Sequence, residues 1–138
     1  MRFHRTLAWL MLLPLLLLGC GKSGPKVVPV SGQVTLDKKP LANADVTFSP
    51  TESGPNKSPG LESSGRTDEK GRYTLLVIQD KREGAVVGTH KVRISLIERG
   101  ASLVNRLPNG YNKNTKLTFT VPAEGSKEAN FDLSSRDK

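Results

Sequence analysis

Between Thr89 and Ile97 the chain alternates strictly, with Val92, Ile94 and Leu96 on one side and Lys91, Arg93 and Ser95 on the other. Successive side chains of a strand point to opposite faces, so this pattern fits a β-strand with one buried face and no helix. The same period returns between turn signals from Val28 onward. Val28, Val30, Val34 and Leu36 share a face over Val28 to Leu36, with Gly32 in their register as a point where another strand or loop can approach closely. Ala44, Val46 and Phe48 point inward from the segment Ala44 to Ser49, which Asp37-Lys38-Lys39-Pro40 joins to the first strand as a hairpin. A short polar strand ends near Thr67, and Tyr73, Leu75 and Val77 share a face from Arg72 to Ile78. Leu117, Phe119 and Val121 follow from Thr115 to Val121, and Phe131 and Leu133 close the core. The expected fold is all-β: one seven-stranded antiparallel β-sandwich over residues 28–134, then a tail, 135–138, too polar to pack.

The connections carry their own signals. Thr51 to Ser64 is rich in Ser, Gly, Pro, Asn and Lys and reads as a mobile surface loop. Asp68-Glu69-Lys70-Gly71 supplies a tight turn in which Asp68 bonds its own backbone and Gly71 takes positive φ. Gly84 to Gly88 reads as a loop, Glu98 to Asn114 as a second long loop, and Pro122 to Ser126 as a turn. Thirteen glycines, nine prolines and 5% aromatic residues agree with many turns around a modest core of Val, Leu, Ile and Phe. There is no internal repeat, heptad or second domain boundary.

Ahead of this domain lies a different kind of segment. Met1 to Arg5 is positively charged, and Leu7 to Leu18 is apolar apart from Pro14, which is the layout of a secretory signal. The run is too short to span a bilayer, since a transmembrane helix needs roughly 20 apolar residues. Leu17-Leu18-Gly19-Cys20 resembles the lipobox of bacterial lipoproteins, in which the cysteine sulfur receives diacylglycerol, the leader is cut before it, and the new amine is commonly acylated. The resemblance implies a signal peptide over residues 1–19, lipidation (palmitate) at Cys20, and a flexible tether over 20–27. Each buried CH₂ contributes roughly 0.8 kcal/mol, so two or three acyl chains give stable membrane attachment. As the single cysteine, Cys20 excludes an internal disulfide. The expected location is the bacterial cell envelope, on a periplasmic or cell-surface face. Gly21 lacks the aspartate that retains lipoproteins at the inner membrane of enteric bacteria, which favours the outer membrane.

Charge and chemistry bound the function. Removing Arg2 and Arg5 from the 21 basic residues leaves 19 against 13 acidic ones, near +6, so the surface favours anionic neighbours such as phospholipid headgroups or acidic polysaccharide. The charges are scattered and no arginine-rich or aromatic-interleaved motif points to nucleic acid. Behind the leader His90 is the sole histidine, with no Gly-x-Ser-x-Gly elbow, so no Ser, His and Asp set and no catalytic residue is expected. His90 has no His or Cys neighbour for zinc, and Lys70 puts a cation inside the only turn that suggests calcium. No metal and no cofactor is expected.

Four segments then stand in a recognisable order: Val30-Ser31-Gly32-Gln33-Val34-Thr35-Leu36, Lys39-Pro40-Leu41-Ala42-Asn43-Ala44-Asp45-Val46-Thr47-Phe48, Thr67-Asp68-Glu69-Lys70-Gly71-Arg72-Tyr73-Thr74-Leu75, and Gly88-Thr89-His90-Lys91-Val92. Together with Leu107-Pro108 and Tyr111-Asn112 they resemble the carboxypeptidase regulatory-like family, and in particular its small lipoproteins in planctomycete-type bacteria. The resemblance implies a transthyretin-like, or prealbumin-like, sandwich from about Val28 to Leu133 without catalytic activity. It differs at Lys38, where the family usually has Gly, and at His90, where it commonly has Tyr. Glu98 with Pro108-Asn109-Gly110-Tyr111 is faintly similar to the last segment of adhesin domains with a Lys to Asn isopeptide bond, but the first strand has no lysine to form one. The expected function is a non-enzymatic, membrane-anchored envelope module for protein or polysaccharide contacts, made through the two long loops. The alternative is a small-ligand-binding or enzyme-accessory domain, which a deep apolar pocket would favour. Oligomeric state is not fixed by the sequence.

Overall fold

The computed structural model describes residues 24–51, 60–99 and 103–137. The expected leader, Cys20 and most of the loop after Thr51 lie outside these residues. The described chain is all-β, a sandwich-like arrangement of several sheets, and its one helical turn among the described residues is a 3-10 turn at Asn109–Tyr111. No helix among them is long and apolar enough to cross a membrane.

The larger sheet is built on β4 (Asp45–Pro50) and β9 (Gly88–Ser95), which pair antiparallel from Asp45 opposite Ser95 to Pro50 opposite His90. β12 (Thr118–Val121) flanks β9, while β5 (Ser63–Arg66) and then β7 (Leu76–Val77) extend the sheet beyond β4. The second sheet centres on β2 (Ser31–Leu36), paired with β3 (Lys39–Pro40), β6 (Arg72–Thr74) and β13 (Phe131–Leu133). β6 and β7 are two halves of one extended stretch. Its first half pairs with β2 and its second with β5, and Leu75 between them is fully buried. One strand therefore changes sheets at Leu75 and ties the two together.

The alternation placed the core correctly. Val28, Val30, Val34, Ala44, Val46, Phe48, Tyr73, Val77, Val92, Ile94, Val121, Phe131 and Leu133 are buried, and Leu36, Leu96, Leu117 and Phe119 pack against them partly buried. Phe48 is fully buried, and its ring lies 5.8 Å from that of Phe119 and 6.2 Å from that of Phe131. Those separations suit edge and tilted aromatic contacts.

Three expectations about connections change. β13 runs parallel to β2, so the sandwich is not antiparallel throughout. The reason is the return segment before it: Ser126 and Ala129 bond to Pro29 and Ser31, so the chain re-enters at the start of β2 and follows it in the same direction. Gly84 to Gly88 contains β8 (Ala85–Val86), which pairs with β1 (Val27–Val28). Glu98 to Asn114 is a hairpin, β10 (Ile97–Arg99) with β11 (Leu103–Asn105), followed by the 3-10 turn. Asn105 braces it by accepting hydrogen bonds from the Leu96 and Leu107 amides, both at 3.1 Å. The tail adds nothing apolar but is held: the Ser135 amide donates to Asp37, and the Ser134 amide donates to the Tyr111 hydroxyl.

Turn chemistry follows the sequence closely. Asp37 and Lys38 both adopt positive φ, 49° and 68°, between β2 and β3. This is the backbone of a tight hairpin turn that favours Asn-Gly, so Lys38 costs roughly 1 kcal/mol relative to Gly. Gly32 sits where the return segment crosses β2, and a Cβ there would stand 2.0 Å from the Ala129 carbonyl oxygen. That same oxygen accepts a 2.6 Å hydrogen bond from the buried Tyr73 hydroxyl. Gly32→Ala is expected to push the segment off β2 and lower unfolding stability by roughly 2 kcal/mol or more in urea titration; a change within about 0.5 kcal/mol would contradict the close approach.

Candidate functional site

Strand parity decides which charged groups meet outside the core. On β2, Ser31 and Gln33 face outward because Val30 and Val34 face inward, and on β6 Arg72 and Thr74 do so because Tyr73 is buried. The register sets Gln33 opposite Arg72 and Ser31 opposite Thr74. The sheet change at Leu75 brings β5 against this edge, so closely that a Cβ on Gly65 would stand 2.3 Å from the Thr74 carbonyl oxygen. Arg66 at the end of β5 thereby joins the group, and Lys127 joins it from the return segment. Ser31, Gln33, Thr74, Arg66, Arg72 and Lys127 line an open hollow of about 520 Å³ at the corner between the sheets.

Each guanidinium is held along one edge. Asp45 accepts from Arg66 Nε and Nη2 at 2.8 and 2.9 Å, which raises the arginine's affinity for its proton. Asp68 accepts from Arg72 Nε at 3.1 Å and lies 3.0 Å from Nη2. Asp68 is fixed by its own turn, where its Oδ1 accepts the Lys70 and Arg72 amides, both at 2.9 Å. The Arg72 amide foremost, then its guanidinium and the Lys70 amide, holds the Asp68 carboxyl below the usual 3.8. With Gly71 at φ 73°, the segment behaves as the turn expected from Asp68-Glu69-Lys70-Gly71, with the carboxylate directed at Arg72 and its own backbone. Lys127 has no carboxylate within 4 Å among the described residues.

A second open hollow, about 550 Å³, lies at the end of β13 between Asp37, Lys38, Asp132, Ser134, Ser135 and Arg136. No group of three His, Cys, Asp or Glu that would hold a metal occurs among the described residues. Glu98, in the segment compared with isopeptide domains, pairs with Arg106 at 2.5 Å.

Cys20, the one residue given a specific chemistry by the sequence, lies outside the described residues. His90 is fully buried in line with Val92 and Ile94, its ring 5.6 Å from that of Phe48. Its Nδ1 lies 3.0 Å from the Gly88 carbonyl oxygen, which can only accept, so the proton sits on Nδ1. Nε2 is then a buried acceptor with no partner among the described residues. Burial lowers the imidazole's affinity for a second proton, partly offset by the Gly88 carbonyl. The ring is thus a neutral core aromatic. Parity could have found this, since His90 shares the register of Val92; Ser63, whose buried Oγ also lacks a partner among the described residues, carries no such sequence signal. The grouping of Arg66, Arg72 and Lys127 was not visible in the sequence, because it depends on the sheet change at Leu75.

No family model matches the chain, and comparisons with curated proteins and with solved structures give no match.

The neutral His90 has a sign. The unfolded imidazole takes up a proton near pH 6.5 while the folded one resists, so stability is complete above that pH and falls as pH drops through 6.5 toward the lowered folded value. The slope is at most about 1.4 kcal/mol per pH unit. His90→Phe is expected to flatten the change in melting temperature between pH 7.5 and 5.5. An unchanged slope would place the proton uptake elsewhere.

Proposed function

We propose that this chain is a non-enzymatic lipoprotein of the bacterial cell envelope: a contact module anchored to the membrane through Cys20 and built on a transthyretin-like sandwich of the carboxypeptidase regulatory-like kind. The observation that carries the reading is the lipobox-like Leu17-Leu18-Gly19-Cys20 standing directly before a folded domain. Val27 already pairs with Val86, and the Lys26 carbonyl accepts from the Val87 amide at 3.0 Å. Six residues separate Cys20 from that first pair. At about 3.5 Å per residue this tether holds the domain within roughly 25 Å of its anchor.

The two larger sheets support the seven-stranded reading: leaving out the two-residue β3, their strands β2, β4, β5, the β6–β7 stretch, β9, β12 and β13 number seven once that stretch is counted as one. The non-enzymatic reading is supported by His90, which is sealed in the core as a neutral ring and does not reach solvent. The contact reading is supported over a small-ligand role by the form of these two hollows among the described residues, which are open and lined mainly by charged and hydroxyl-bearing side chains. A hydrophobic ligand needs an enclosed apolar pocket. Of the two loops expected to make contacts, Glu98 to Asn114 is a braced hairpin and turn. Ile97 and Val104 are exposed on its described strands.

Cys20→Ser is expected to move the protein from the membrane pellet to the soluble fraction and to abolish incorporation of labelled palmitate. A substituted protein that still pellets with membranes and still takes up label would overturn the lipoprotein reading.

A further inference from the structure

We propose that the hollow at the sheet corner binds the anionic groups of an acidic polysaccharide, with Arg66, Arg72 and Lys127 as its cationic contacts. The assignment rests on the contact-module reading above and names its site and the class of its partner. Asp45 and Asp68 occupy one edge of each guanidinium and so orient it, leaving the remaining N–H groups for a further acceptor. An oriented guanidinium loses less freedom on binding than a free one and matches the planar oxygens of a carboxylate. Lys127 adds a charge with no carboxylate beside it among the described residues, so the hollow is net positive even with Asp68 counted. Ser31 and Thr74, paired across β2 and β6, line the same hollow, and their hydroxyls donate or accept as a sugar hydroxyl requires.

Two features favour a polysaccharide over a lipid headgroup as the source of the anion. The exposed large apolar side chains among the described residues are Leu76, Ile78, Ile97 and Val104, and none lines the hollow. Binding at a bilayer interface draws on apolar side chains entering the acyl boundary, and here none is placed to do so. The hollow is also open at the surface, so a long polymer can pass across it. The other basic pair, Lys91 and Arg93, stands on the flat outer face of β9, opposite Ser49 and Thr47 of β4, and outside the hollow. It carries comparable charge without the oriented guanidinium edges, and so serves as an internal comparison.

The test uses the full chain in nonionic detergent, with polygalacturonate as the probe, neutral dextran as its uncharged counterpart, and phosphatidylglycerol vesicles as the lipid arm. Wild type is expected to bind polygalacturonate in preference to both, with affinity falling as salt rises. Lys127→Gln, which disturbs no hydrogen bond of the turn, and Arg72→Gln are each expected to weaken binding about tenfold. The Lys91→Gln/Arg93→Gln double variant, which removes twice the charge, should stay within about twofold. An equal or larger loss in the double variant would reduce the effect to net charge and overturn the site. Absence of polygalacturonate binding, or a preference for vesicles that Lys127→Gln abolishes, would overturn the polysaccharide assignment. Palmitate labelling at Cys20 is read on the same preparations, so failure of the anchor and failure of the hollow are distinguishable.

Discussion

The stretch from Arg72 to Val77 serves two sheets, and the burial of Leu75 at the change between them holds the architecture together. Tyr73 on one side of that point reaches across with its hydroxyl to the Ala129 carbonyl oxygen, and Val77 on the other enters the core of the larger sheet. Burial of the hydroxyl pushes its ionisation well above the ordinary tyrosine value. The return segment is thereby fastened over Gly32, and β13 is delivered parallel to β2. The close backbone approach at Gly65 follows from the sheet change, and that at Gly32 from the return segment which Tyr73 fastens.

The fold also sorts polar from apolar groups. In the core, Phe48, Phe119, Phe131 and the neutral ring of His90 form an aromatic cluster on the side of the larger sheet away from β7. With no partner among the described residues, the buried His90 Nε2 costs about 1–3 kcal/mol, which the packing of the ring against Phe48 offsets in part. Outside it, the two arginines are steadied by carboxylates that are themselves exposed, so these ion pairs add little to stability and their effect is geometric. A surface that is modest in energy but fixed in orientation suits recognition more than folding.

Most of the core was legible because alternation is a local signal: Val92, Ile94 and their counterparts can be assigned to the buried face from neighbours two residues away. The capped turn at Asp68 and the close approach at Gly32 were legible from equally local signals, the turn residues around Asp68 and a glycine standing in an apolar register. What was not legible depends on pairing at a distance. The β10–β11 hairpin has strands of three residues, too short to show a period, and its bracing by Asn105 needs the partner strand in place. The parallel course of β13 follows from where the return segment crosses β2, and alternation carries no direction. The hollow joins residues from β5, β6 and the return segment, and no spacing in the chain announces it.

The proposed account joins a lipid anchor at Cys20 and a short tether to the all-β domain, whose cationic corner is open at its surface. That account turns on where the mature chain begins. Intact mass and the N-terminal peptide of the protein recovered from membranes address this directly. The account predicts a mature chain starting at Cys20 and carrying diacylglycerol and acyl mass on that residue. An unmodified Cys20 in the membrane-recovered protein, or a mature chain starting beyond it, would contradict it.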